Sequence, residues 1–320
     1  MAANRLQHLF ATGRWTLPVS IVCASALLLT STLLALRGGM SPAAASTSTL
    51  VSLLLYAATG YLLIDLNNAF PLIRLRATIQ TSIYFLLVAA CPAFHLRPRA
   101  VLAAMLLLLA VFFLFKSFRR AQEAPAALFY SFLFLGFGSF FAPKLTLLAP
   151  VFWIGAYGFQ SLHRKSFFAS ITGWLVPYWF VLAAALWSHK IVWVSQPLRE
   201  LFSFHALSYQ GVEPWQIATM GYLLALFAVS SLHSLRHSHQ DKTNTRSFLR
   251  FLLFLTASLF LYALLQPAGI DSTLPFLLVL VCALGGHFVI QATGRVGNLL
   301  IGFFSLAFVL LFLFNVWTLW

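Results

Sequence analysis

Two amides and two arginines lie close together in the run Asp65-Leu66-Asn67-Asn68-Ala69-Phe70-Pro71-Leu72-Ile73-Arg74-Leu75-Arg76. An arginine binds phosphate bidentately, and an amide hydrogen-bonds a sugar hydroxyl or a phosphate oxygen. Asn67, Asn68, Arg74 and Arg76 are therefore the first candidates for substrate binding. The competing reading is a capped helix end, with Asp65 paired to an arginine and lipid phosphates on the rest. Arg97, Arg99 and Lys144 form a second, alternative set of anion contacts.

The histidines suggest different chemistry. His233 and His237 are four apart, so a continuing helix puts them on one face. Neutral imidazole suits iron and zinc, and membrane di-iron oxygenases use such groups. Those enzymes need several histidine clusters, however, and this chain has one cluster with His163, His239 and His287 scattered around it. No metal and no cofactor is expected. Acid–base work on the opposite side would fall to Glu200, Glu213 or Asp271, each of which also reads as a solvated loop residue.

The elements that must carry these residues follow from composition. Of 320 residues, 61% are hydrophobic and only 8% are charged, against about 25% charged in an ordinary soluble chain. Cutting at every Asp, Glu, Lys and Arg leaves eleven charge-free runs of 16 to 27 residues. A spanning helix needs about 20 apolar residues. The expectation is an all-α, polytopic transmembrane helical bundle of about eleven spans: 16–36, 48–65, 78–95, 100–116, 125–142, 145–162, 167–187, 215–233, 248–266, 272–292 and 297–318. The short connections at 96–99, 143–144 and 163–166 read as tight hairpins. Trp15, Trp187, Trp215, Trp317 and Trp320 fall at span ends, where an amphipathic ring favours the headgroup zone. With no linker or composition shift, residues 1–320 read as one integral membrane domain without a soluble part.

Loop charge sets the expected orientation. With the N-terminus cytoplasmic, fourteen Lys and Arg lie on the cytoplasmic side and six on the other, as the positive-inside rule requires. The first apolar run is about 20 residues long, beyond the 7–15 of a signal-peptide core, so it reads as an uncleaved helix. The net charge of +14 sits in membrane-flanking loops. It fits anionic lipid headgroups at the cytoplasmic face and gives no reason to expect nucleic acid. Cys23, Cys91 and Cys282 fall in three separate spans, with neither disulfide nor metal spacing.

Basic turns recur at Lys116–Arg120, Gln160–Lys165 and His233–His237. They read as ordinary cytoplasmic helix ends rather than as a repeated hairpin. In the longest loop, 188–214, Pro197 could open a short interfacial helix with Leu198, Leu201, Phe202 and His205 on one face, ended by Gly211.

Several motifs carry a resemblance. Asn67-Asn68 with Pro71-Leu72-Ile73-Arg74, then Leu135-Gly136-Phe137-Gly138-Ser139-Phe140-Phe141-Ala142-Pro143, Pro150, Trp153, Gly173 and Pro177-Tyr178, resemble an uncharacterised family of hydrophobic inner-membrane proteins of Bacteroidota. The same region is similar to membrane glycosyltransferases that use polyprenyl-phosphate sugars, and Lys144 stands where those often carry a lysine. Their essential acidic residue in the first outer loop has no counterpart in 37–47.

The resemblance implies a multi-pass protein of the bacterial inner membrane and cell envelope. It would handle a lipid-linked or envelope glycan substrate, such as a polyprenyl-phosphate-linked one, in a glycosyltransferase-like way. The alternative is a non-catalytic subunit of a membrane complex, or a lipid or solute permeator. Whether the protein is an enzyme stays open at this point.

Overall fold

The computed structural model describes residues 16–37, 42–73, 78–190, 192–203, 209, 211–237, 239, 241–292 and 295–319. Among these residues every regular element is helical: α1 (Thr16–Arg37), α2 (Pro42–Ala69), α3 (Ile79–Ala89), α4 (Pro98–Lys116), α5 (Ala124–Phe141), α6 (Ala149–Gly158), α7 (Arg164–Trp187), α8 (Val192–Phe202), α9 (Pro214–His237), α10 (Thr243–Leu265), α11 (Ile270–Gln291) and α12 (Arg295–Leu319). Eight of them, α2, α4, α5, α7 and α9 to α12, are long and apolar enough to cross a membrane. The chain is a multi-pass membrane protein.

Two expected spans are broken. The stretch 78–95 divides into α3, of 11 residues, and a 3₁₀ turn at Pro92–Leu96. The stretch 145–162 divides into a 3₁₀ segment, Pro143–Leu148, and α6, of 10 residues. Each short helix rises only about 15–17 Å, half of a hydrocarbon core. Proline is the cause, since it removes a backbone donor and clashes with the preceding turn: Pro92 stops α3, and Pro143 and Pro150 confine α6. In the loop 188–214, α8 starts at Val192, so Pro197 lies inside the helix instead of opening it. Leu201 is buried there and Phe202 is exposed; the Leu198 side chain and His205 lie outside the described residues. Gly211, with a positive φ of 92°, occupies a later turn.

By packing, the chain forms two compact units. The first comprises Met1–Val101, Tyr209–Ala263 and Pro267–Trp320, the second Leu102–Ser208 and Leu264–Gln266. In the first unit, α11 packs on α3 and α9, α9 also packs on α12, and α3 packs on α1 and α2. Nearly nine-tenths of α11 is buried. Lipid is as apolar as leucine, so helices in a membrane associate through close packing and hydrogen bonds. The pair Gly285-Gly286 supplies the packing: a Cβ on Gly286 would lie 2.8 Å from the Cβ of Gln80 on α3, while Gly285 faces Leu226 on α9.

Side-chain hydrogen bonds also join these helices. Gln80 donates to the Leu63 carbonyl, and Thr81 to the Gly60 carbonyl at 3.2 Å. Where Pro92 ends α3, the Ala90 carbonyl accepts a bond of 2.8 Å from Asn315 of α12, whose amide also donates to Thr219 at 3.2 Å. Cys91 lies within reach of that Thr219 hydroxyl, at 3.8 Å, and outside any helix.

In the second unit α5 and α7 pack along most of their length. A Cβ on Gly173 would overlap the Phe129 carbonyl, and one on Gly136 would lie 2.8 Å from the Trp174 carbonyl. Ser139 and Tyr178 share a hydrogen bond of 2.6 Å, and Trp153 donates to Ser170 at 3.0 Å. Gly136, Gly173 and Tyr178, singled out by resemblance, are thus packing residues at one helix–helix contact, while Gly138 faces Leu145 and Leu106 instead. Two of the basic turns meet in the same unit, where buried Ser117 donates to Ser161 at 3.0 Å. Arg119 and Gln160 in those turns both take positive φ.

Of the tryptophans expected at the interface, Trp187 and Trp317 are exposed. Trp215 stands at a helix start but is buried, its ring edge-on to Phe94 and its indole donating to Glu213. Trp15 and Trp320 lie outside the described residues.

Gly173→Ala should therefore lower the thermal midpoint of the detergent-solubilised protein, because overpacking typically costs about 1–3 kcal/mol. Gly221→Ala, in an exposed helical position with nothing within 4 Å of the added methyl, should leave the midpoint unchanged or raise it slightly. Size-exclusion profiles after a heating series report both.

Candidate functional site

One group of buried ionisable residues in the first unit lies where α9 and α11 finish and α10 begins. Asp241, in the α9–α10 connection, folds back against α11. Its carboxylate accepts from the Gln291 amide at 3.0 Å and lies 3.5 Å from His287 Nε2. The Asp241 and His287 side chains are 1% and 2% exposed. Desolvating a carboxylate costs several kcal/mol unless partners replace the water, and these two residues supply that replacement.

His233 and His237, four apart on α9 as the sequence suggests, stack with ring centroids 4.3 Å apart. His233 also meets Phe288 edge-on, and its Nε2 is buried without a hydrogen-bond partner. Among the described residues no group of three His, Cys, Asp or Glu is arranged to hold a metal ion.

The amide–arginine segment lies at the same end. Asn67 is buried, and its side-chain oxygen accepts the Ile73 amide at 2.9 Å, closing the turn that follows α2. Thr245 of α10 donates to the Pro71 carbonyl at 2.9 Å, and Phe70 packs edge-on against Phe248. Asn68 is exposed at the helix end. Arg74 and Arg76 lie outside the described residues.

At the opposite end Asp271, on the first turn of α11, is ion-paired with Arg97 and accepts the Gln216 amide. Gln216 in turn accepts the Glu213 backbone N–H at 2.9 Å. Arg99 is exposed. Lys144 is half-buried and belongs to the second unit. The Asp241–His287–Gln291 group is not apparent from residue spacing, since 46 positions separate Asp241 from His287. Only the position of His287 inside an apolar run marks it.

Two openings flank α3 on the α1 side. One, of about 350 Å³, is a groove between the starts of α1, α3 and α12 and the end of α11. Its walls are apolar and carry the hydroxyls of Ser20, Ser82 and Ser305. Val289 lines it, on the same turn of α11 as His287 and Gln291. The other, of about 140 Å³, lies between α1, α2 and the end of α3, with Tyr56 and His95 in its wall. Burial pushes the His95 imidazole, in the turn after α3, down to about 3, so the ring is neutral.

No family model, curated protein or solved structure matches this chain. The functional reading therefore rests on the molecule's own geometry.

Asp241→Leu should destabilise the protein by about 1–3 kcal/mol, because it strands the Gln291 amide and the buried His287. Asp241→Asn keeps an acceptor for Gln291 and should lose much less. Equal thermal midpoints for the two variants would show that the carboxylate's partners do not hold this loop.

Proposed function

We propose that the protein is a multi-pass inner-membrane protein that handles a lipid-linked substrate of the polyprenyl-phosphate kind. The observation that carries this reading is the groove of about 350 Å³. Ligand sites typically enclose about 300–1,000 Å³ with mostly apolar walls and a few polar groups, and this groove fits an isoprenoid chain. It opens at the end of the first unit that also carries Asn67, Asn68 and the Asp241–His287 pair. Arg74 and Arg76, which follow the Asn67 turn in the sequence, carry guanidinium groups that suit the phosphate of such a headgroup. On the loop-charge count this end is cytoplasmic.

The alternative, a non-catalytic subunit or permeator, has its own support. Of the six acidic residues, five already hold a partner: Glu123 pairs with Arg120, Glu200 accepts from Gln196, Glu213 from Trp215, Asp241 from Gln291 and Asp271 from Gln216 and Arg97. A glycosyl transfer through a general base needs a carboxylate or histidine free to take a proton. Here that role would fall to Asp65 or to His233.

Photolabelling with a diazirine-bearing polyprenyl phosphate tests the lipid reading. Label should enter α1, α3 or α12, and Ser305→Phe, which fills the groove from an exposed position on α12, should cut labelling roughly tenfold. Labelling that survives Ser305→Phe, or that an ordinary phospholipid competes equally well, rules it out. Lipid-linked saccharides profiled by mass spectrometry in a deletion strain separate the two readings: a precursor accumulates if the protein transfers sugar, and the profile is unchanged if it is a structural subunit.

A further inference from the structure

The smaller opening between α1, α2 and α3 differs from the chain groove in size and in its polar content. Its walls include Ala24, Leu53, Phe85 and Val88, with Tyr56 and His95 as the buried polar pair. At about 140 Å³ it matches the size of apolar cavities that accept one benzene ring. Ile21 and Leu53 at its edge are 42% and 38% exposed, so a ligand dissolved in the bilayer can approach from the side.

The polar pair sets what such a ligand must offer. His95 is fully buried, and its Nδ1 lies 3.1 Å from the Tyr56 hydroxyl. The buried phenol needs an acceptor for its proton, and Nδ1 is the one in place, so Tyr56 donates and Nδ1 accepts. A neutral imidazole then carries its proton on Nε2. That nitrogen is buried and has no hydrogen-bond partner. The third polar side chain of the wall, Ser25, donates to the Ile21 carbonyl at 2.8 Å. A water molecule seeks about three partners and would find few here. Leaving a buried donor unmet costs about 1–3 kcal/mol, so an apolar ligand carrying one acceptor fits better than water.

We propose that this pocket binds the ring of a membrane-soluble quinone, with a ring carbonyl accepting from His95 Nε2 and the prenyl tail leaving past Ile21 and Leu53. The site is independent of the chain groove and of any glycan chemistry. Ring size and lateral entry are matched by the wall, and the carbonyl by the unmet Nε2 donor of the buried His95 ring. Tyr56 acts by holding the imidazole tautomer and does not itself meet the ligand's carbonyl.

Binding is measured on the full chain in nanodiscs, with empty nanodiscs subtracted. The probes are a 1,4-benzoquinone bearing one prenyl unit and the corresponding prenylated benzene without oxygens. The quinone should bind roughly tenfold more tightly than the hydrocarbon, the difference of one buried hydrogen bond. His95→Phe should abolish that preference and Tyr56→Phe should reduce it. Ala57→Phe, which blocks the pocket from an exposed position on α2, should remove binding of both rings, whereas the groove variant Ser305→Phe should leave it intact. Equal affinity for the two rings, quinone binding that persists in Ala57→Phe, or no quinone binding at all overturns the proposal. Should His95→Phe fail to fold, the two-ring comparison and Ala57→Phe still decide it.

Discussion

The burial of α11 is the constraint on which the first unit depends. A helix with no lipid-facing side must be contacted all round, and in a membrane that contact comes from close backbone approach and from polar groups that find partners. Gly285 and Gly286 let α9 and α3 approach at adjacent positions of one turn. Both ends of the helix are then tied by carboxylates: Asp271 at its start to Arg97 and Gln216, and Asp241 beside its end to Gln291. The Asp271 carboxylate also sits on the first turn of α11, at the positive end of the helix dipole, which favours a negative charge there.

Prolines account for most of what the apolar runs did not predict. A hydropathy count registers 78–95 as a full span because Pro92 carries no charge, yet the helix stops at Ala89 and the Ala90 carbonyl at its end is left for another partner. Asn315, far away in the sequence, closes that gap. Such long-range satisfaction cannot be read from local composition, since nothing near Asn315 announces its partner. The same holds at Pro143 and Pro150, where an apolar run of ordinary span length yields a 3₁₀ segment and a ten-residue helix. The long helices were legible because length and apolarity alone fix them, and α9 to α12 match the sequence expectation to within a few residues.

The candidate site was legible in part. Residue type drew attention to Asn67, and the structure shows the turn that its side chain closes. The stacking of His233 on His237 follows from their spacing of four. Asp241 carries no signal in the sequence, because a single acid in a basic loop looks solvated; it is buried only because the loop folds back onto α11. The pair Tyr56 and His95 was equally hidden, with 39 positions and a helix reversal between them. The glycines carried by resemblance were informative about packing: Gly136 and Gly173 mark the α5–α7 contact.

The scarcity of acidic residues now has a structural meaning. Of the six carboxylates, Asp241 and Asp271 tie separate elements together and Glu123, Glu200 and Glu213 hold local partners, so much of the protein's polar chemistry passes to neutral groups. Buried hydroxyls, amides and imidazoles can bind and orient a ligand without the desolvation cost of a charge. That favours recognition of lipid-soluble molecules bearing a few hydrogen-bonding atoms over ion-coupled transport, which draws on charged residues within the membrane. A chemistry of transfer would then depend on groups supplied by the substrate or on the imidazoles beside Asp241. At that end of α11 an unpartnered His233 nitrogen sits on the same bundle end as the Asn67 turn, which is where the proposed headgroup would be seated.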